Sequence, residues 1–190
     1  MSWSEDNPRY CSVCRKAKKV CVCAALIPET SAEIDVLILR SQSEVKRSRG
    51  TAWPLSCLVQ NISILDGDEV LGFEPEDGDY LLFPKKDQDI TEDSPVSDDF
   101  RRVKRLIIPD GTWSEARRMV RTTPFLSSLP RMELKKDLKG EYKLRRAIGI
   151  GKISTLEAFR EALSSLDLLS NELEGRLSNL LDELNRSEFK

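Results

Sequence analysis

Four cysteines, Cys11, Cys14, Cys21 and Cys23, follow one another near the start of the chain in the spacing C-x2-C-x6-C-x-C. Thiolates this close in sequence can close a tetrahedral site, and an all-sulfur donor set favours Zn2+. With every position filled by protein, such an ion organises the fold and does no chemistry itself. Two disulfides or four unrelated thiols are the competing explanations. A reducing compartment argues against the first and the pairwise clustering against the second. Cys57 stands apart and reads as a buried core thiol.

A pair of corners is the second source of chemistry. Ile107-Ile108-Pro109-Asp110-Gly111-Thr112-Trp113 passes from an apolar strand, ended by Pro109, into a helix. Ile153-Ser154-Thr155-Leu156-Glu157-Ala158 leads into a second helix in the same way. α/β proteins place their ligands at such strand–turn–helix corners. Thr112 with Glu115, and Ser154 with Glu157, each fit the S/T-x-x-E capping box. That pattern by itself gives Thr112 a structural role as an N-cap and Trp113 a place covering the core. Asp110 lies outside the box, just before a helix N-terminus whose partial positive charge favours a carboxylate. It can cap a turn, bind a ligand amine or accept a proton. Gly149 and Gly151, upstream of the second corner, permit close approach of backbone to a ligand. The adjacent Arg145 and Arg146 suit carboxylate or phosphate recognition, or form a solvated basic strand end.

The chain of 190 residues contains no histidine. Ser-His and Cys-His nucleophilic pairs and His-ligated metals are therefore excluded, and proton transfer falls to carboxylates, Lys, Tyr, Cys or water. The net charge of -2 conceals a segregation. Residues 66–99 hold 13 acidic and 2 basic residues, and residues 100–152 hold 15 basic and 5 acidic ones. The basic block suits a polyanion; a solvated face paired with the acidic block explains it equally well.

These residues need elements to position them. The compact apolar run Ile34–Leu39 reads as a buried first strand, followed by a polar, basic loop over Ser41–Arg49 and a helix over Ala52–Gln60. Ile62–Leu65, Tyr80–Phe83 and Val103–Ile108 read as further strands, and Asp87–Asp99 as a mobile acidic loop. Alternation of helix, strand and turn predicts an α/β fold with a largely parallel sheet. Leucines from Leu156 to Leu184 step by three and four, predicting one long amphipathic stripe broken near Gly175. A cysteine-bearing segment over 1–30 and one domain over 31–190 is the expected division. No apolar run approaches a membrane span, and Met1–Asp6 lacks the features of a signal peptide, so a cytoplasmic location is expected.

Taken in order, these motifs resemble the DTW-domain family of tRNA-uridine aminocarboxypropyltransferases. The resemblance runs through the paired cysteines ending in Cys21-x-Cys23, the Leu37-Ile38-Leu39 strand with Glu44 and Thr51, and Leu82-Phe83-Pro84. It continues through Asp110-Gly111-Thr112-Trp113, Tyr142-x-x-Arg145-Arg146 and Ser154-Thr155-Leu156-Glu157-Ala158. Two departures stand out. Ser41-Gln42 occupies the place where the family often has His-Pro, and Gly50 the place where it usually has Asn.

The resemblance implies a SPOUT-like, mostly parallel α/β sheet with a knotted C-terminal region that cradles S-adenosylmethionine, beside a small zinc knuckle. It implies transfer of the donor's 3-amino-3-carboxypropyl group to N3 of a tRNA uridine, with release of methylthioadenosine. On this reading Thr51, Leu82, Phe83, Pro84, Asp110, Gly111, Arg145, Arg146, Ser154, Thr155 and Glu157 serve the donor, with an arginine on its carboxylate. Asp110, Thr112 and Trp113 stand at the reacting centre, Asp110 to take or steer the N3 proton and Trp113 to stack on a base or on adenine. Lys16, Lys18, Lys19, Arg101, Arg102, Lys104, Arg105, Arg117 and Arg118 would hold the RNA backbone. A monomer is the favoured state. Two rival readings stay open: a non-catalytic RNA-binding protein with a zinc knuckle, and a SPOUT-type RNA methyltransferase.

Overall fold

The computed structural model describes residues 4, 7–45, 47, 49–67, 72–84, 100–135, 138–143 and 153–186. In chain order its elements are β1 (Asp35–Arg40), α1 (Gln42–Val45), α2 (Ala52–Leu58), β2 (Ile62–Asp66), β3 (Asp79–Leu82) and β4 (Arg105–Asp110). They continue with α3 (Trp113–Thr122), α4 (Pro124–Ser128), β5 (Arg131–Met132), α5 (Thr155–Ser165) and α6 (Asn171–Arg186). Two compact units contain them. The first unit gathers Met1–Glu33, Lys46–Asn61 and Lys135–Lys190; the second holds Ile34–Val45 and Ile62–Leu134.

In the second unit the five strands form one parallel sheet in the order β2-β1-β4-β3-β5. Val36, Leu37, Ile38 and Leu39 are all buried, the unbroken apolar run expected of a central parallel strand with both faces covered. On one face Leu37, Leu39, Leu81 and Ile107 pack with Ala116 and Val120 of α3 and Leu126 of α4. The parallel α/β expectation is met by this sheet.

The loop expected over Ser41–Arg49 contains α1, and the end of β4 also differs from the sequence reading. β4 does not end at Pro109 but runs through it to Asp110, with Pro109 opposite Leu39. Residues 104, 106, 108 and 110 face β1, as the bonds from Asp35 N to Lys104 O and from Ser41 N to Asp110 O show. Pro109 therefore turns its missing donor toward β3, whose pairing stops at Leu81–Ile107. A proline is tolerated where the ladder has already ended.

The first unit packs the cysteine segment with three helices. The short turn Cys23–Leu26 contacts α2 and α6, and α5 contacts α2 and α6. Leu156, Phe159 and Leu163 of α5 and Leu173, Leu177, Leu180 and Leu184 of α6 are buried. The leucine stripe is thus two helices, broken at residues 166–170 rather than near Gly175. Leu166 closes α5 with its N–H on Ala162, Leu163 and Ser164 carbonyls, and Asp167 takes a left-handed φ of 58°. Gly175 lies inside α6, exposed, and a Cβ there would meet nothing. The acidic loop expected over Asp87–Asp99 lies outside the described residues. Among those described, no helix is long and apolar enough to cross a membrane.

Candidate functional site

The connections leaving β1 and β4 lead to opposite sides of the sheet, β1 to β2 and β4 to β5 beyond β3. The C-terminal ends of β1 and β4 therefore mark the topological switch point, where open α/β sheets take ligands. Asp110 sits there, 4% exposed, with its backbone carbonyl accepting from Ser41 N at 2.9 Å. Asp66, Arg40 and Asp110 occupy one row across β2, β1 and β4. The buried Arg40 is bidentate on Asp66, at 2.7 and 2.6 Å. A buried cation thus stands in register between two carboxylates, and its strand position next to Asp110 was not singled out by the sequence.

Beyond Asp110 the chain turns into α3 through the expected capping box. Glu115 N donates to Thr112 Oγ1, and Thr112 N donates to Glu115 Oε2 at 2.7 Å. The Thr112 hydroxyl also reaches that carboxylate, at 2.6 Å. The other oxygen, Glu115 Oε1, accepts from the hydroxyl of Ser43, and Ser41 Oγ lies 3.3 Å from Ser43 Oγ. Ser41 directly follows β1, and Ser43 lies in α1. The Ser43 hydroxyl therefore ties the segment after β1 to the cap of α3. Gly111 leaves the necessary room, since a Cβ would stand 3.1 Å from Glu115 Cβ and 3.2 Å from Ser41 Oγ.

Trp113 covers the core residue Phe83 from outside and keeps its other face in solvent. It is 51% exposed and stacks on Phe83, with ring centroids 5.3 Å apart and planes at 15°. Arg117 lies 5.6 Å from the same ring. Phe83 belongs to the Leu82-Phe83-Pro84 segment after β3; the fully buried Arg131 donates to the Pro84 carbonyl at 3.2 Å. The aromatic pair brings the first corner and this segment together, within hydrogen-bonded supports on both sides.

The second corner belongs to the first unit. Ser154 caps α5 and Glu157 completes the box, its Oε2 accepting from Ser154 N at 2.6 Å. Here the acid is 2% exposed, and its other oxygen accepts from the backbone N–H groups of Glu141 and Tyr142. Asn185 of α6 holds the same strap, accepting from Lys143 N at 2.9 Å and donating to Glu141 O at 3.1 Å. Thr51, expected at the donor, has its Oγ1 accepting from Leu156 N at 3.2 Å. Thr155 is buried beside them. Arg145, Arg146, Gly149 and Gly151 lie outside the described residues.

The cysteines converge as their spacing predicts. The Sγ atoms of Cys11, Cys14, Cys21 and Cys23 all lie within 4.8 Å of one another, with 3.5 Å between Cys11 and Cys23 and 3.6 Å between Cys14 and Cys21. A tetrahedral Zn2+ with ordinary Zn–S bonds spaces its sulfurs about 3.8 Å apart, so the donor set fits the ion. All five cysteines are free thiols. Burial pushes the Cys14 and Cys23 thiols up. At Cys11 burial is outweighed by the N–H groups of Cys14 and Val13 and by the neighbouring thiols, which bring it down to about 7. Cys57 is half-buried, and burial pushes it up to about 11.

The expected RNA-facing cations divide. Lys18, Lys19, Arg101, Arg102, Lys104 and Arg118 are exposed, and Arg117 partly so. Arg105 is bidentate on the buried Asp79, at 2.7 and 2.8 Å, and that pairing raises its pKa. Lys16 is 5% exposed, its Nζ donates to Gly50 O at 2.7 Å, and burial brings it down to about 8. The structure places Lys16 inside the first unit, not on a surface. Nothing local distinguishes it from Lys18, because its partner lies thirty-four positions away.

Comparison with known proteins adds two findings. A family model described as the DTW domain matches residues 8–187. A Drosophila melanogaster protein named tRNA-uridine aminocarboxypropyltransferase 2 is 28% identical over 188 residues, spanning 86% of this chain and 70% of its own length. No solved structure matches the chain.

Proposed function

Because the chain belongs to the DTW-domain family, we propose that it is a tRNA-uridine aminocarboxypropyltransferase, transferring the 3-amino-3-carboxypropyl group of S-adenosylmethionine to uridine N3. The reading draws on the name of the Drosophila relative, and the observation that carries it here is a buried carboxylate, Asp110, at the switch point of a parallel sheet. The donor supplies an activated carbon whose leaving group is methylthioadenosine, so much of the catalysis is positioning. Backbone groups of Leu82, Phe83 and Pro84, with Gly111, hold the donor in this unit, their places fixed by Arg131, Ser41 and the α3 cap. Asp110 takes or steers the N3 proton, a role left to a carboxylate in a chain without histidine. Thr112 acts by fixing the turn after Asp110. The exposed face of Trp113, flanked by Arg117, offers an unpaired base a stacking surface.

The Watson–Crick edge of the target must be free, which requires an unpaired, outturned uridine. Exposed Lys18, Lys19, Arg101, Arg102, Lys104 and Arg118 hold the RNA backbone. Zn2+ on the four cysteines orders the first unit and takes no part in the reaction. The SPOUT-like knotted C-terminal region and a cytoplasmic location belong to the same reading.

Calorimetric titration with S-adenosylmethionine, followed by tRNA at two salt concentrations, tests it. Saturable donor binding, with tRNA affinity that falls steeply as salt rises, is expected. Salt-dependent tRNA binding without donor binding would replace it with the non-catalytic RNA-binding reading.

A further inference from the structure

We propose that Lys16 is a positioning residue that bolts the cysteine centre to the Gly50–Thr51 backbone, so that metal on the four thiolates sets the order of that segment. The loop carrying Lys16 is closed on itself: Cys11 N donates to Lys16 O at 2.8 Å, Arg15 N donates to Cys11 O at 3.0 Å, and Tyr10 bridges to Ala17. Arg15 turns the loop in the left-handed region, at φ 57°. The Lys16 backbone is thereby fixed to Cys11 and stands two residues from Cys14, while its side chain runs inward to the Gly50 carbonyl.

The segment it reaches is a meeting point. Arg49 O accepts from the Tyr142 hydroxyl at 2.6 Å, Thr51 Oγ1 accepts from Leu156 N, and Thr51 O accepts from Leu55 N at 3.1 Å. A second attachment lies alongside. Val13 O accepts from Trp53 Nε1 at 2.8 Å, and the Arg15 guanidinium lies 3.0 Å over the Trp53 ring. The segment around Cys14, from Val13 to Lys16, is thus pinned to α2 and to the turn before it. Four thiolates on one ion hold that loop in a single shape, because each metal–sulfur bond fixes a different part of it. Losing the ion frees the loop and removes a buried donor from Gly50, a loss that costs more than a surface hydrogen bond because water does not readily replace the partner. The carbonyl is a backbone group, so the place usually held by Asn can be Gly without loss of this contact.

The consequence for the donor rests on the proposed function together with the expectation, implied by the resemblance, that Thr51 is one of the donor positions; the coupling itself does not. Hydrogen exchange on the full chain separates the two. The amides of Leu55 and Leu156 both donate to Thr51, and that of Ile108, in the sheet of the other unit, serves as reference. Zinc-loaded wild type, zinc-loaded Lys16→Met and chelator-stripped wild type are compared, with zinc content measured in each. Leu55 and Leu156 are expected to exchange about tenfold faster in the variant and in the stripped protein, with Ile108 unchanged. Full protection in the stripped protein would overturn the coupling. Full protection in zinc-loaded Lys16→Met would overturn the role of Lys16. If Lys16→Met loses its zinc, Lys16→Arg must restore both zinc and protection, or the proposal fails. Donor titration of the same samples reads the other claim: no donor binding by wild type refutes the proposed function and leaves the exchange result standing.

Discussion

The corner at Thr112 and the corner at Ser154 share a capping box and differ in what surrounds its acid. Glu115, partly exposed, accepts from the Thr112 amide and hydroxyl and from the Ser43 hydroxyl, so two of its three donors are side chains in reach of water. Glu157, buried, accepts from three backbone N–H groups, two of them on a strap distant in sequence. The first corner therefore joins two strand ends by adjustable side chains and leaves Trp113 exposed above Phe83. The second locks the strap at Glu141 and Tyr142 to the start of α5. A capping box tells where a helix starts; the partners of its second oxygen decide whether the corner stays adjustable or becomes fixed.

That contrast can be broken by substitution. The largest effect belongs to chemistry at the first corner. Asp110→Asn is expected to fold, to bind donor and to lose about a thousandfold in turnover, read in a single-turnover transfer assay. Near-normal turnover would remove Asp110 from the proton role. Next comes Glu157→Ala, which strands three N–H groups, two in buried residues, and should cost about 4 kcal/mol in denaturant unfolding. Glu115→Ala should cost about 1 kcal/mol in the same experiment, because water reaches the groups it leaves. Equal losses from the two would show that the corners do not differ as described. Ser43→Ala, which removes one hydroxyl donor, should change stability by about 0.5 kcal/mol, and its effect should vanish in the Glu115→Ala background.

Local patterns were the part of this molecule most readable beforehand. Val36–Leu39 is apolar because both faces of β1 are covered, and Thr112–Glu115 and Ser154–Glu157 form their boxes from residues three apart. The four cysteines converge for the same reason. Features that needed distant partners were not readable. Pro109 signals the end of a strand unless β3 is known to have stopped beside it. The break in the leucine stripe falls at Asp167 because that residue turns left-handed, while Gly175, the better helix breaker by propensity, is tolerated on an exposed face. Lys16 resembles its neighbours until Gly50 is placed against it. Asn185 carries no signal at all, since its partners are backbone atoms of Glu141 and Lys143.

The central claim is the reaction, and one labelling experiment addresses it directly. Unmodified tRNA is incubated with the protein and S-adenosylmethionine labelled either on the methyl carbon or on the carboxyl carbon. The account predicts that carboxyl label enters tRNA and methyl label does not. Methyl label in tRNA without carboxyl label would contradict it and make the protein a methyltransferase.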